Sequence, residues 1–264
     1  MHDYFIRAIL ADRTNATDYF QAFLPENISR QLDFATLEQL PDTYLSEALK
    51  KNVSDIVYTC QKKDAAELIK VCLLVEHKSY PDRYTPVQIG GYIFSALQKQ
   101  VANKERLSVV LPVLLYHGRG KWQYQTLAGL FENLASEWRP FVPDFSYIYN
   151  NLGEVADAQV IALKNKFLAA SLLALKHSFE KKWLAENALR MLILTEQASE
   201  GLQKSFVVYM FGRSELKEDE INSLFESLSR NLKNTVMSTL DIFIEKGRVE
   251  GIEKGIRRGI EKGI

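Results

Sequence analysis

An α+β first part followed by an α-helical second part is the fold class this sequence predicts. Three observations lead there. Two runs rich in β-formers, VSDIVYTCQ (53–61) and LIKVCLLV (68–75), flank the short polar stretch KKDAAE. A stretch of helical periodicity over about residues 86–102 separates them from a third apolar run, SVVLPVLLY (108–116). From about residue 156 onward, apolar residues recur at spacings of three and four.

Taken in order, residues 2–24 predict a helix whose intermittent apolar face is Phe5, Ile9, Tyr19, Phe20, Phe23 and Leu24, stopped by Pro25. A strand is expected near 36–40, and the two β-rich runs form a hairpin. The helix over 86–102 has Ile89, Ile93, Phe94, Leu97 and Val101 as its apolar face. Gly90-Gly91 within it costs about 2 kcal/mol of helix propensity. Either the close approach of another backbone or of DNA justifies that cost, or the helix is irregular. Pro112 marks the strand over 108–116 as an edge or a bulge, because it has no N–H for a ladder. FSYIYN (145–150) supplies a last strand. The expected divisions are 1–150 for the α+β part, 151–232 for a helical part, and 233–264 for a tail. Gly247, Gly251, Gly255, Gly259 and Gly263 recur there every fourth residue, which makes an isolated tail helix weak.

Bulk properties narrow the function. Formal charge is zero, so net charge alone does not draw this chain to a polyanion. No apolar run reaches the ~18 residues of a membrane span, and MHDYFIRAIL lacks the features of a secretory signal. Cys60 and Cys72 lack zinc-ligand spacing, so reduced thiols in a cytoplasmic protein are expected.

The residues with the clearest chemistry follow an apolar run, in LLVEHKSY (73–80). A tight reversal pairing Asp64 with Glu67 makes antiparallel partners sum to 131 in residue number, so Asp55 lies opposite Glu76. Alternation puts Lys78 on the same face as Glu76. A one-residue slip would separate the groups. Two carboxylates suit Mg²⁺ or Mn²⁺, hard cations that prefer oxygen. A neighbouring amine suits phosphodiester hydrolysis, orienting water and offsetting charge. On spacing alone, an ion-pair network at a strand end is the better explanation of the trio.

The motifs HDYFIRAIL, FQAFLPENISRQLDFATLEQL, SDIVYTC, LLVEHKSYPD and LPVLLYHGRGKW, in this order, resemble the Rpn family of recombination-promoting nucleases, also called putative transposase, YhgA-like. The likeness runs over about residues 2–150 and more loosely beyond, and many members carry a similar glycine-repeat tail. It implies a PD-(D/E)xK restriction-endonuclease-like core, an αβββαβ arrangement with a mixed sheet flanked by helices. It also implies metal-dependent DNA endonuclease activity linked to recombination or transposition. Asp55 falls on the family's metal-binding acid, and Glu76 and Lys78 fall on its Glu-x-(Lys or Gln) element. The backbone carbonyl of His77 would be a further metal ligand. Many members resemble this segment with glutamine where Lys78 stands; lysine is closer to the wider superfamily. The rival expectation is a catalytically silent DNA-binding or oligomerisation module that keeps the fold, self-associating through the helical region or the tail.

Other residues carry weaker signals. Gln88 and Tyr92 form Gln-x-x-x-Tyr, resembling a motif that lines the DNA site in RecB-like nucleases. Asp3 is an acid in the first turn, fitting the helix dipole. His77 is expected to point away from the site, as a structural or solvent-facing group. His117 is expected to cap the turn before Gly118 and Gly120, with Trp122 anchoring that loop. Lys50, Lys51, Lys62, Lys63, Arg119 and Lys121 lie in loops around the sheet, available to phosphates or simply solvated. Tyr80, Tyr84 and Tyr92 either stack on bases or pack.

Overall fold

In this computed structural model, which describes residues 1–41, 56–63 and 70–241, a mixed five-stranded sheet has the order β1 to β5. Its strands are β1 (Leu32–Gln39), β2 (Ile56–Lys62), β3 (Lys70–Lys78), β4 (Val109–Tyr116) and β5 (Ile148–Asn151). β1–β2 and β2–β3 are antiparallel; β3–β4 and β4–β5 are parallel. The parallel step needs a crossover, which helix α4 (Thr85–Ala102) supplies. Up to β4 the principal elements are helices, three strands, a helix and a strand.

The expected first helix is two: α1 (His2–Ala11) and α2 (Arg13–Phe23), with the short α3 (Glu26–Ser29) after Pro25. Asp12 sits between α1 and α2 in extended conformation, and its carboxylate accepts the N–H of Asn15 at 2.9 Å. An N-cap of this kind starts a new helix more favourably than it continues an old one. Phe5, Ile9, Tyr19 and Phe20 are buried as expected, with Tyr58 of β2 edge-on to Phe20.

Gly90 is buried, and a Cβ there would stand 3.2 Å from the Phe145 ring. Side-chain packing therefore accounts for this glycine. The expected apolar face of α4 is only partly right. Ile89, Tyr92, Ala96 and Gln100 are buried, whereas Phe94 and Val101 stand 52% and 63% exposed. Pro112 pairs in register with Leu74, and β4 meets β5 only from Val113 onward. The proline thus occupies a stretch with a neighbour on one side, which suits its missing N–H.

Two compact units are present, Met1–Phe179 and Glu180–Ile264. The first extends past the division near 151 expected from sequence, because the helix Lys166–Lys176 is tied to the first helices. The side-chain amide of Asn165 donates to Asn15 Oδ1 at 2.8 Å and to Asp18 Oδ2 at 2.9 Å, while its oxygen caps the helix through the N–H of Leu168. The second unit is helical over its described residues, with Leu184, Leu192, Phe206, Met210 and Leu232 in its core. The glycine-repeat tail beyond residue 241 lies outside the described residues.

Candidate active site

β2 and β3 meet in the register expected from the hairpin. Ile56 pairs with Val75, Val57 with Leu74, and so on to Gln61 with Lys70, each pair summing to 131. Asp55, the residue before β2, lies outside the described residues. The backbone of Glu76 pairs with Leu114 of β4.

Lys78 ends β3 with its side chain 12% exposed. Its Nζ donates to Gln88 Oε1 at 2.8 Å and lies 3.3 Å from Asp82 Oδ2. Gln88 in turn donates from Nε2 to the Tyr92 hydroxyl at 2.6 Å. Because an ammonium only donates, the amide must offer its oxygen to Lys78 and its N–H₂ to Tyr92. Gln88 and Tyr92 sit one turn apart on α4, so the helix after β3 fixes the amine at the end of β3. Tyr92 is only 1% exposed. Its hydroxyl holds Gln88 in place. Tyr80 and Tyr84 are exposed at 63% and 64%.

His77 points into a cluster of rings. Its Nε2 is 2.8 Å from Asp3 Oδ1, with the His77 side chain buried and Asp3 largely exposed. The imidazoles of His77 and His117 stack with centroids 6.0 Å apart, and His2 and Phe179 complete the group around His117. His77 is therefore structural, and Asp3 serves it as a partner from the first helix. His117 is 2% exposed, and its pKa is lowered to about 3. Burial is the main cause, and the neighbouring His2 and His77 add to it. A neutral imidazole is thus part of the packing. Among the described residues, no group of His, Cys, Asp and Glu is arranged to hold a metal.

The loop after β4 is clamped against the segment after Lys78. The backbone N–H of His117 donates to the Lys78 carbonyl at 3.1 Å. At Gly118 a Cβ would overlap the Ser79 carbonyl oxygen and lie 2.6 Å from the Tyr116 ring and hydroxyl. The Tyr116 hydroxyl donates to the Gly120 carbonyl at 2.7 Å. Trp122 stands edge-on to Tyr116 at 5.0 Å, and its carbonyl accepts the Tyr149 hydroxyl, so it anchors the loop as expected. Arg119 and Lys121 are exposed on this loop, and Lys62 and Lys63 at the end of β2; Lys50 and Lys51 lie outside the described residues.

Sequence reasoning missed Asp82, whose second oxygen also accepts the N–H of Tyr84 at 2.9 Å. The signal available was its four-residue spacing from Lys78. It also missed the Asp3–His77 pair, for which the sequence carries no local signal.

Fold and site together define an α+β protein built on a mixed sheet, with a lysine held by a glutamine–tyrosine pair where the central strand ends. The chain belongs to the family described as "Putative transposase, YhgA-like", which matches residues 1–204. It is 26% identical over 118 residues to recombination-promoting nuclease RpnC of Escherichia coli (strain K12), covering 44% of this chain and 39% of that one. Over 119 residues it is 25% identical to recombination-promoting nuclease RpnD of Escherichia coli O157:H7, covering 44% of this chain and 45% of that protein. A third relative, 25% identical over 118 residues, 44% of this chain and 39% of its own, is the inactive recombination-promoting nuclease-like protein RpnE of Escherichia coli (strain K12). The matched stretch thus spans less than half of each of these relatives. No solved structure matches the chain.

Proposed function

We propose that this chain is a divalent-metal-dependent DNA endonuclease with a PD-(D/E)xK core, acting in recombination or transposition. The β2–β3 register carries the reading. The pairs from Ile56–Val75 to Gln61–Lys70 keep the sum of 131 that, applied to the sequence, would set Asp55 against Glu76, two residues before Lys78. The order of helices and strands through β4 supports the same core, and relatives named recombination-promoting nucleases support the activity.

The donor set fits a hard cation: carboxylates of Asp55 and Glu76 with the backbone carbonyl of His77 would hold Mg²⁺ or Mn²⁺. When bound, the ion supplies positive charge that acidifies water and offsets charge building on the phosphate oxygens. Lys78 contributes from the chain itself. Its ammonium, fixed by Gln88 and Asp82, is oriented before substrate arrives, so little reorganisation is needed when charge develops. The clamped loop from Gly118 to Trp122 keeps the segment after Lys78 in place.

Supercoiled plasmid incubated with Mg²⁺ tests the reading. The wild type should nick or linearise it, and Glu76→Gln should lose roughly 3 to 4 kcal/mol of transition-state stabilisation, on the order of 10²–10³ in rate. Equal activity in the two proteins would defeat the assignment. One observation favours a second reading, a silent DNA-binding module: a relative of similar identity is named inactive. Gel shift without cleavage across several metals would support that reading.

A further inference from the structure

Helix α4 leaves an apolar stripe uncovered. Val87, Phe94 and Val101 are 53%, 52% and 63% exposed and stand seven residues apart; Tyr80, in the segment before the helix, is 63% exposed. A seven-residue apolar repeat keeps one face of a helix toward a partner helix. The outer face of a surface helix normally carries charge, yet α4 has one charged side chain in its whole length, Lys99.

We infer that this stripe is the contact surface for a second copy of the same chain, with two α4 helices packed antiparallel about a two-fold axis at Phe94. Three observations select that occupant. Lys99 is the one charged side chain within α4, too few cations along the helix for a polyanion to track, which argues against nucleic acid on this face. The stripe is self-complementary: Val87 and Val101 lie equally far from Phe94 in opposite directions, so the two-fold sets each against the other. Gly91, half-buried between Val87 and Phe94, has no side chain to hold the second backbone away. With Tyr80, Tyr84 and Leu107 at its ends, the stripe presents roughly 600 Å² of exposed apolar residue, on ordinary residue areas. That approaches the ~800 Å² per partner of a specific interface, and lies at the upper end of the ~300–600 Å² of the largest apolar patch on a typical monomer.

Sedimentation velocity of the full chain tests this without reference to cleavage. At micromolar concentration the wild type should run as a dimer. Phe94→Lys, which sets two ammonium groups on the axis, should raise the dimer dissociation constant at least ~100-fold while leaving the far-UV circular dichroism unchanged. Phe141→Lys, at a 79% exposed position elsewhere on the first unit, should leave the dimer intact. Phe94→Cys should form a disulfide-linked dimer on mild oxidation. A wild type that stays monomeric, a dimer that survives Phe94→Lys, or a Phe94→Cys protein that does not cross-link overturns the inference.

Discussion

Removing the Gln88 amide tests whether α4 really holds the amine at the end of β3. In Gln88→Leu, the Lys78 ammonium loses the acceptor 2.8 Å away and keeps Asp82 at 3.3 Å. The Tyr92 hydroxyl, on a residue 1% exposed, loses its donor at 2.6 Å. A hydrogen bond to a charged group is worth ~1.5–3 kcal/mol and a neutral one ~1 kcal/mol, so the substitution should destabilise the first unit by about 2–4 kcal/mol. Urea denaturation of wild type, Lys78→Met, Gln88→Leu and the double variant closes a cycle. Residues that share one network should couple by ~1.5–3 kcal/mol, whereas independent sites add within ~0.5 kcal/mol. Additive single substitutions would refute the argument that Gln88 positions Lys78.

Other predictions follow from the packing around this site. Gly118→Ala forces a methyl group onto the Ser79 carbonyl and the Tyr116 side chain, so thermal unfolding should show a loss of about 1–3 kcal/mol; an unchanged melting temperature would mean that the loop is not clamped. His117 is a base whose folded pKa lies near 3, below the ~6.5 of free imidazole. The unfolded chain therefore binds the extra proton first. Stability contributed by the neutral ring is complete above pH ~6.5 and is lost at about 1.4 kcal/mol per pH unit as pH falls toward the folded value. Against His117→Phe, the wild-type stability curve should fall more steeply between pH 6 and about 4, and parallel curves would contradict a buried neutral imidazole. Asp157 is the opposite kind of group. Burial alone would raise its pKa, but hydrogen bonds from Lys176 at 2.6 Å and His177 at 3.0 Å outweigh that and lower it. Stability from this cluster should hold above the ordinary aspartate range and disappear as pH falls through the lowered pKa; Asp157→Asn should remove that acid-limb loss.

The parts of the fold legible in the sequence were those set by local rules. A short polar stretch between two β-rich runs fixed the hairpin register, and one residue of slip would have turned every side chain over. What escaped was decided by distant partners. Asp12 reads as a helix-interior acid until its carboxylate is seen to accept the backbone N–H of Asn15, although Asp is among the residues favoured at an N-cap, a signal that was available. Asn165 holds its helix to Asn15 and Asp18 across nearly 150 residues of chain, so no composition shift marks where the first unit stops. The apolar periodicity of α4 was visible, but it covers most of the helix surface. Only the neighbouring elements decide that Ile89 and Ala96 face inward while Phe94 does not. At the site, spacing picked out Lys78 and α4 supplied Gln88, but the role of Tyr92 depended on its burial.

A crystal soaked in Mn²⁺ tests the central claim most directly. The account predicts an anomalous peak within about 2.0–2.3 Å of carboxylate oxygens from both Asp55 and Glu76, with the Lys78 ammonium beside it and still bonded to Gln88. Two carboxylates turned to opposite surfaces, with no peak between them, would contradict it.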